Sequence, residues 1–205
     1  MRLFQQTFAI TSRTRILDVG GSPFIWQFST VTPDLTFINF PSALQPRSDR
    51  LRQVAGDGRM LPFRDAAFDI VFSNSVIEHV GDRADQRRFA EEVARVGRHY
   101  WVQTPNRRSP IELHLMLPFI HHLPKSWQRS IVNRFTIWEL LVRPTKEQRA
   151  FYIDHFLNEL NLLAARDLQS LFPDSKIVSE RVFGMPKSLI AVRLSTEGRS
   201  SSNLT

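Results

Sequence analysis

Thr14-Arg-Ile-Leu-Asp-Val-Gly-Gly-Ser-Pro-Phe24 is the stretch whose reading decides the fold. Ile16, Leu17 and Val19 suit a buried parallel strand, which an acid, Asp18, interrupts near its end. Gly20 and Gly21 allow a tight turn with close backbone approach, and Ser22-Pro23 looks like an N-cap followed by a first-turn proline. The stretch therefore reads as strand, turn and helix, an arrangement that can hold a ligand or serve as a plain structural turn. A dinucleotide would need G-x-G-x-x-G, because its pyrophosphate lies against bare backbone at the helix start. Here Ser22 and Ile25 stand where the second and third small residues belong. A phosphate-free nucleoside makes a weaker demand.

Outward from that turn the chain alternates strands and helices. Phe24–Phe28 is expected to begin a short helix that stops before Thr32-Pro33, and Leu35–Asn39 to form a second strand. Asn39 stands where nucleoside-binding α/β folds often place a ribose-binding acid, about 20 residues after the first strand. It is equally at home as a strand-end turn residue. If it does meet ribose, Asn39→Asp should maintain or improve affinity, since a carboxylate accepts more strongly than an amide oxygen.

Val54-Ala-Gly-Asp57-Gly-Arg-Met-Leu-Pro-Phe63 leads into Ala67-Phe-Asp-Ile-Val-Phe-Ser73, which is apolar enough for a central strand. Asp82 reads as the N-cap of a helix carrying Phe89, Val93 and Val96 on one face and closing at Gly97. His99–Thr104 supplies a fifth strand. A later helix is marked by Leu157, Leu160, Ala164, Leu168 and Leu171. Strands at Lys176–Val182 and Ser188–Leu194 follow, with a link too short for a parallel crossover, so the last strand must run antiparallel to its partner.

Several of these segments resemble class I S-adenosylmethionine-dependent methyltransferases, of the small bacterial type with a type 11 methyltransferase-like domain. Asp18 and Gly20 match the family's acid-x-G opening, while Ser22 and Phe24 replace later glycines. The run from Gly56 to Phe63 with Phe68-Asp69 is similar to the family's G-D-x-x-x-L-P-F and F-D-hydrophobic-V segment, the most specific match in the chain. Ser73–Val80 resembles its post-strand stretch ending in hydrophobic-Glu-His-hydrophobic, and Thr104–Arg107 with Pro110-Ile-Glu112-x-His114 resembles a small bacterial subgroup.

The resemblance implies an α/β fold: a Rossmann-like, mostly parallel seven-stranded sheet with its last strand antiparallel, and a helical insertion after strand 5. It implies S-adenosylmethionine as cofactor and an O, N or C methyl acceptor. Asp18, Gly20, Gly21 and Ser22 would form the turn beside the cofactor's amino acid, with the Asn74 backbone reaching its ammonium from the opposite side. Asn39 would meet ribose. Asp57, with Gly58 and Arg59, would meet adenine, under cover of the Leu61–Phe63 turn. His79, Glu112 and His114 are the titratable candidates for a general base, with no choice among them.

Residues 1–194 are expected to form one methyltransferase-like domain, with a lid at about 106–149 and a disordered tail at 195–205. The insertion combines many apolar residues with eight basic residues against three acids, of a net charge of +7 over 205 residues. Such a segment suits a lid over a hydrophobic acceptor, with peripheral contact to a membrane surface, as well as it suits an ordinary cap. A fold that binds without transferring is the rival reading. Nucleic acid is disfavoured, because the basic residues are interleaved with aliphatic rather than stacking side chains. With no cysteine there is neither a disulfide nor a thiolate nucleophile, and no metal site is expected. No apolar run of about 18 residues and no signal-like N-terminus is present, so a cytoplasmic location is expected.

Overall fold

The computed structural model describes residues 1–46, 51–109, 160–182 and 184–194, the short strands at 111–112 and 117–118, and single positions 127, 130 and 145. Its centre is a seven-stranded sheet in the order β3-β2-β1-β4-β5-β9-β8. These strands are β1 (Arg15–Val19), β2 (Asp34–Asn39), β3 (Arg52–Ala55), β4 (Phe68–Asn74), β5 (Gly97–Pro105), β8 (Lys176–Val182) and β9 (Met185–Arg193). β1 pairs in parallel with β2 and β4, and β9 alone runs against its neighbours β5 and β8. The expected fold class is thus found, with the reversed strand lying one place in from the sheet edge.

Strand alternation sends successive residues of β1 to opposite faces. Leu17 and Val19 join one core with Val71, Val102 and the inner face of α3 (Arg83–Val96), which presents Phe89, Ala90, Val93 and Val96. α4 (Ala165–Leu171) adds Leu168 and Leu171. Ile16 joins the second core with Ile70, Phe72 and Trp101, covered by Phe4 of α1 (Arg2–Phe8) and Trp26 of α2 (Pro23–Trp26). Asp18, two residues from Ile16, belongs to this second face. Phe4 is almost fully buried and meets Phe8, Trp26, Phe72 and Trp101 edge-on, with ring centroids 4.8–5.9 Å apart.

Asp82 caps α3 as read, accepting from the N–H groups of Ala84 and Asp85, while the Asp85 carboxylate accepts from the Asp82 N–H. The helix over Phe24–Phe28 is shorter than expected. It stops at Trp26, because the chain turns away at Gln27 and Phe28, and Ser22 occupies the N-cap position without a side-chain hydrogen bond.

The helix expected from Leu157 begins only at Ala165 among the described residues. Asn161 is drawn to η2 (Ile77–His79) by an N–H···O bond of 2.7 Å to the Glu78 carbonyl, and Leu163 bridges to Asn106, so residues 160–164 cannot be helical. Leu157 lies outside the described residues. The insertion opens not with a helix but with an antiparallel pair, β6 (Ile111–Glu112) and β7 (Leu117–Pro118). Trp127 and Ser130 are helical, and apart from residues 106–109 and 145 the rest of the expected insertion, like the tail after Leu194, lies outside the described residues. Among the described residues no helix is long and apolar enough to cross a membrane.

Phe4→Ala should cost about 3–5 kcal/mol, as expected for a fully buried aromatic whose cavity cannot collapse. Chemical denaturation would read it as a lower midpoint; a change below about 1 kcal/mol would mean that α1 does not seal the second core.

Candidate functional site

A cleft of about 380 Å³ opens at the carboxyl ends of β1 to β4. The strand order reverses there, between β1 and β4, which is where ligands of open α/β sheets bind. Gly20, Asn39, Asp57, Gly58, Arg59 and His79 line it, with Ile38, Phe40, Val76 and Phe89 among its apolar walls.

The turn after β1 is tightly specified. Gly20 has φ +76°, and a Cβ there would lie 2.6 Å from Val76 Cγ2, so both conformation and space demand glycine. Its N–H donates to the Ile38 carbonyl at 2.9 Å. A Cβ on Gly21 would lie 2.1 Å from the Asp18 carboxylate, so the acid is packed directly beneath the turn.

Asp18 is wholly buried. Its Oδ2 accepts from Trp26 Nε1 at 2.7 Å, and Oδ1 has no hydrogen-bond partner among the described residues. Burial raises its pKa to about 7, against the smaller lowering effect of the Trp26 N–H. Trp26 is the site residue that sequence reasoning missed. An aromatic at the end of a four-residue helix carries no motif, and only the shared face of β1 and α2 brings it to Asp18.

Asn39 ends β2 and donates from Nδ2 to the Gly21 carbonyl at 3.0 Å. Asp57 is gripped by Arg59, whose Nη2 and Nε lie 2.6 and 3.0 Å from Oδ2 and whose backbone N–H donates to Oδ1 at 2.9 Å. Arg59 reaches on to Asp85 at 3.0 Å. The Arg59 guanidinium holds the Asp57 carboxyl below its ordinary pKa, and the two acids raise that of Arg59.

The Leu61–Phe63 turn does not line the cleft. Glu92 accepts from the Leu61 N–H at 2.6 Å, and Arg95 donates to the Leu61 and Phe63 carbonyls at 3.1 and 2.8 Å, which ties the turn to α3 instead. Phe89 of α3 supplies the apolar wall in its place.

Of the residues named from sequence, Gly20, Asn39, Asp57, Gly58, Arg59 and His79 come together at the cleft. Asp18 and Gly21 lie behind its floor, and Ser22 and Asn74 are not on its walls. Asn74 is the last residue of β4, and the lining passes to Ser75, with φ +57°, and Val76. The side chain of Glu112 and all of His114 lie outside the described residues. Next to His79, Glu78 is fully buried and accepts from the Thr104 hydroxyl at 2.9 Å, which joins η2 to β5. Among the described residues no group of three or more metal-ligating side chains gathers.

The donor set fits S-adenosylmethionine. Its bare glycine turn, the polar side chains at the ends of β2 and β3 and the apolar walls beside an acid would suit the amino-acid, ribose and adenine parts of that cofactor.

Comparisons with known proteins point to the same fold. The methyltransferase domain family matches residues 19–99. No curated protein matches the chain. Among solved structures, the chain is similar to the methyltransferase in complex with the Haloferax volcanii Trm112 methyltransferase activator, at 14% identity and TM-score 0.55, covering 93% of this chain and 86% of that one. It is also similar to a SAM-dependent methyltransferase from Methanosarcina mazei, at 13% identity and TM-score 0.51, covering 93% and 97%. A third likeness is to the Haemonchus contortus phosphoethanolamine N-methyltransferase 2 in complex with S-adenosyl-L-methionine, at 12% identity and TM-score 0.54, covering 87% and 37%.

Asp18 gives the site a pH signature. A carboxyl group whose native pKa lies above its unfolded value contributes its stability in full below about pH 4, and that contribution is lost as pH rises through about 7. Asp18→Asn should therefore match the parent near pH 4 and exceed it at pH 8, by on the order of a few kcal/mol, in pH-resolved thermal unfolding. A variant that is less stable at pH 8 would show the carboxylate to be satisfied in the native state.

Residues 19–99 match the methyltransferase domain family, and the chain has the fold of S-adenosylmethionine-dependent methyltransferases of known structure.

Proposed function

We propose that this methyltransferase binds S-adenosylmethionine in the cleft between β1 and β4 and passes its methyl group to a hydrophobic or amphiphilic small molecule. The observation that carries the reading is the cleft itself: about 380 Å³, at the reversal point of the sheet, walled by Gly20, Asn39 and Asp57 on the polar side and Ile38, Val76 and Phe89 on the apolar side. That volume lies within the usual range for small-molecule sites, about 300–1,000 Å³.

S-adenosylmethionine brings a methyl group already activated by the sulfonium, so the protein's task is alignment and exclusion of water. Alignment of two reactants can supply about 7–11 kcal/mol of the barrier. The Gly20 turn lets the amino-acid end of the cofactor lie against backbone. Asp57, oriented by Arg59, accepts from the adenine amine, and Phe89 packs against the ring. His79 is the titratable candidate that reaches the cleft among the described residues, and it can take a proton from an oxygen or nitrogen acceptor.

The acceptor class rests on the apolar share of the cleft walls and on the exposed Phe40 beside them, 56% accessible. The sequence of the insertion supports it too, with Leu113, Leu115, Leu117, Phe119 and Ile120 following β5. Its basic residues suit an acceptor presented at an anionic membrane surface.

Isothermal calorimetry should find S-adenosylhomocysteine binding to the native protein, with Asp57→Ala weaker by about tenfold or more, since losing a buried hydrogen-bond partner costs about 1–3 kcal/mol. Unchanged affinity in Asp57→Ala removes the adenine assignment. Absence of binding by the native protein at millimolar ligand refutes the cofactor reading. For the acceptor, label from methyl-labelled cofactor should pass to the organic-extractable fraction of a cell extract; label found only in the aqueous fraction would rule out a hydrophobic acceptor.

A further inference from the structure

We propose that Asn39 is a positioning residue of the cofactor site: its amide straps the end of β2 to the Gly21 carbonyl, fixes the glycine turn, and leaves one side-chain oxygen rather than two to face the ribose. The ribose part rests on the methyltransferase reading above; the strap does not.

The geometry is specific. Nδ2 lies 3.0 Å from the Gly21 oxygen, and the opposite amide orientation would set oxygen against oxygen. The backbone around it is already committed. The Asn39 carbonyl accepts from the Gly56 N–H at 2.9 Å, and the Ile38 carbonyl accepts from Gly20 at 2.9 Å. The turn is therefore held from below by the buried Asp18 carboxylate and from the side by Asn39. A second acid in the place of Asn39 would set a carboxylate against the Gly21 carbonyl, with Asp18 beneath the same residue. That reverses the expectation from sequence that Asn39→Asp preserves or improves affinity.

An ionised aspartate has only acceptors, whereas a protonated one regains a donor for the Gly21 oxygen. Cofactor-free Asn39→Asp should therefore melt below the native protein at pH 8, and the gap should close by at least about half at pH 4.5. Asp18 titrates in both proteins, and a carboxylate at residue 39 on the same turn raises its pKa further, so the two acids destabilise the variant in the same direction as pH rises. At pH 8 its affinity for S-adenosylhomocysteine should fall by about tenfold. A variant equal to or better than the native protein at pH 8, or a deficit that does not shrink on acidification, overturns the strap.

Should Asn39→Asp fail to fold at either pH, Asn39→Ala decides: without the amide donor it should melt below the native protein at pH 8 and pH 4.5 alike. An Asn39→Ala variant as stable as the native protein at both pH values contradicts the strap. If the native protein binds no S-adenosylhomocysteine at all, the methyltransferase reading fails, while the melting comparisons still decide the strap.

Discussion

A carboxylate packed beneath a glycine turn is the constraint on which the site depends. The Asp18 carboxylate would lie 2.1 Å from any Cβ at residue 21, and Val76 would lie 2.6 Å from one at residue 20. The turn has no room for a side chain on either side. Its shape is fixed by contacts from β1 below and from the end of β4 above. The cost is a buried acid with one oxygen unsatisfied among the described residues, retained at the place where backbone must approach a ligand. The Trp26 N–H offsets part of that cost. Because α2 spans only Pro23–Trp26, it is the indole, rather than a long helix, that ties this part of the chain to the sheet.

The rest of the cleft follows the same pattern, in which polar groups are arranged before any ligand arrives. Arg59 orients Asp57 and is itself oriented by Asp85 at the start of α3. The same helix holds the Leu61–Phe63 turn through Glu92 and Arg95. α3 thus supports the β3 side of the cleft, with its own first turn set by the Asp82–Asp85 capping box. Charge pairs this exposed contribute little to stability individually, and their value lies in fixing orientation.

Much of this was legible in the sequence, for identifiable reasons. Runs such as Ile16–Val19 and Ile70–Phe72 carry apolar residues on both faces, as a central parallel strand does, and the short link between β8 and β9 forces the reversal of β9. Gly20 and Asp57 were legible because turn chemistry restricts residue choice. Partners were not. Trp26 reaches Asp18 through the packing of the second core, Asn39 reaches Gly21 through strand pairing, and Arg59 closes on Asp57 within its own loop. Periodicity also misled at Leu160–Ala164, where spacing suited a helix but a bridge to Asn106 and a bond to Glu78 hold the chain extended.

The most direct test of the central claim is a titration of glycine-labelled protein with S-adenosylhomocysteine, followed through backbone amide resonances. Gly20, Gly56, Gly58 and Gly81 line the cleft, whereas Gly97 and Gly184 lie away from it and serve as internal controls. The account predicts saturable shifts at the first four with one common dissociation constant, and none at the other two. Resonances that stay in place at the cleft glycines, or that move only at Gly97 and Gly184, would contradict it.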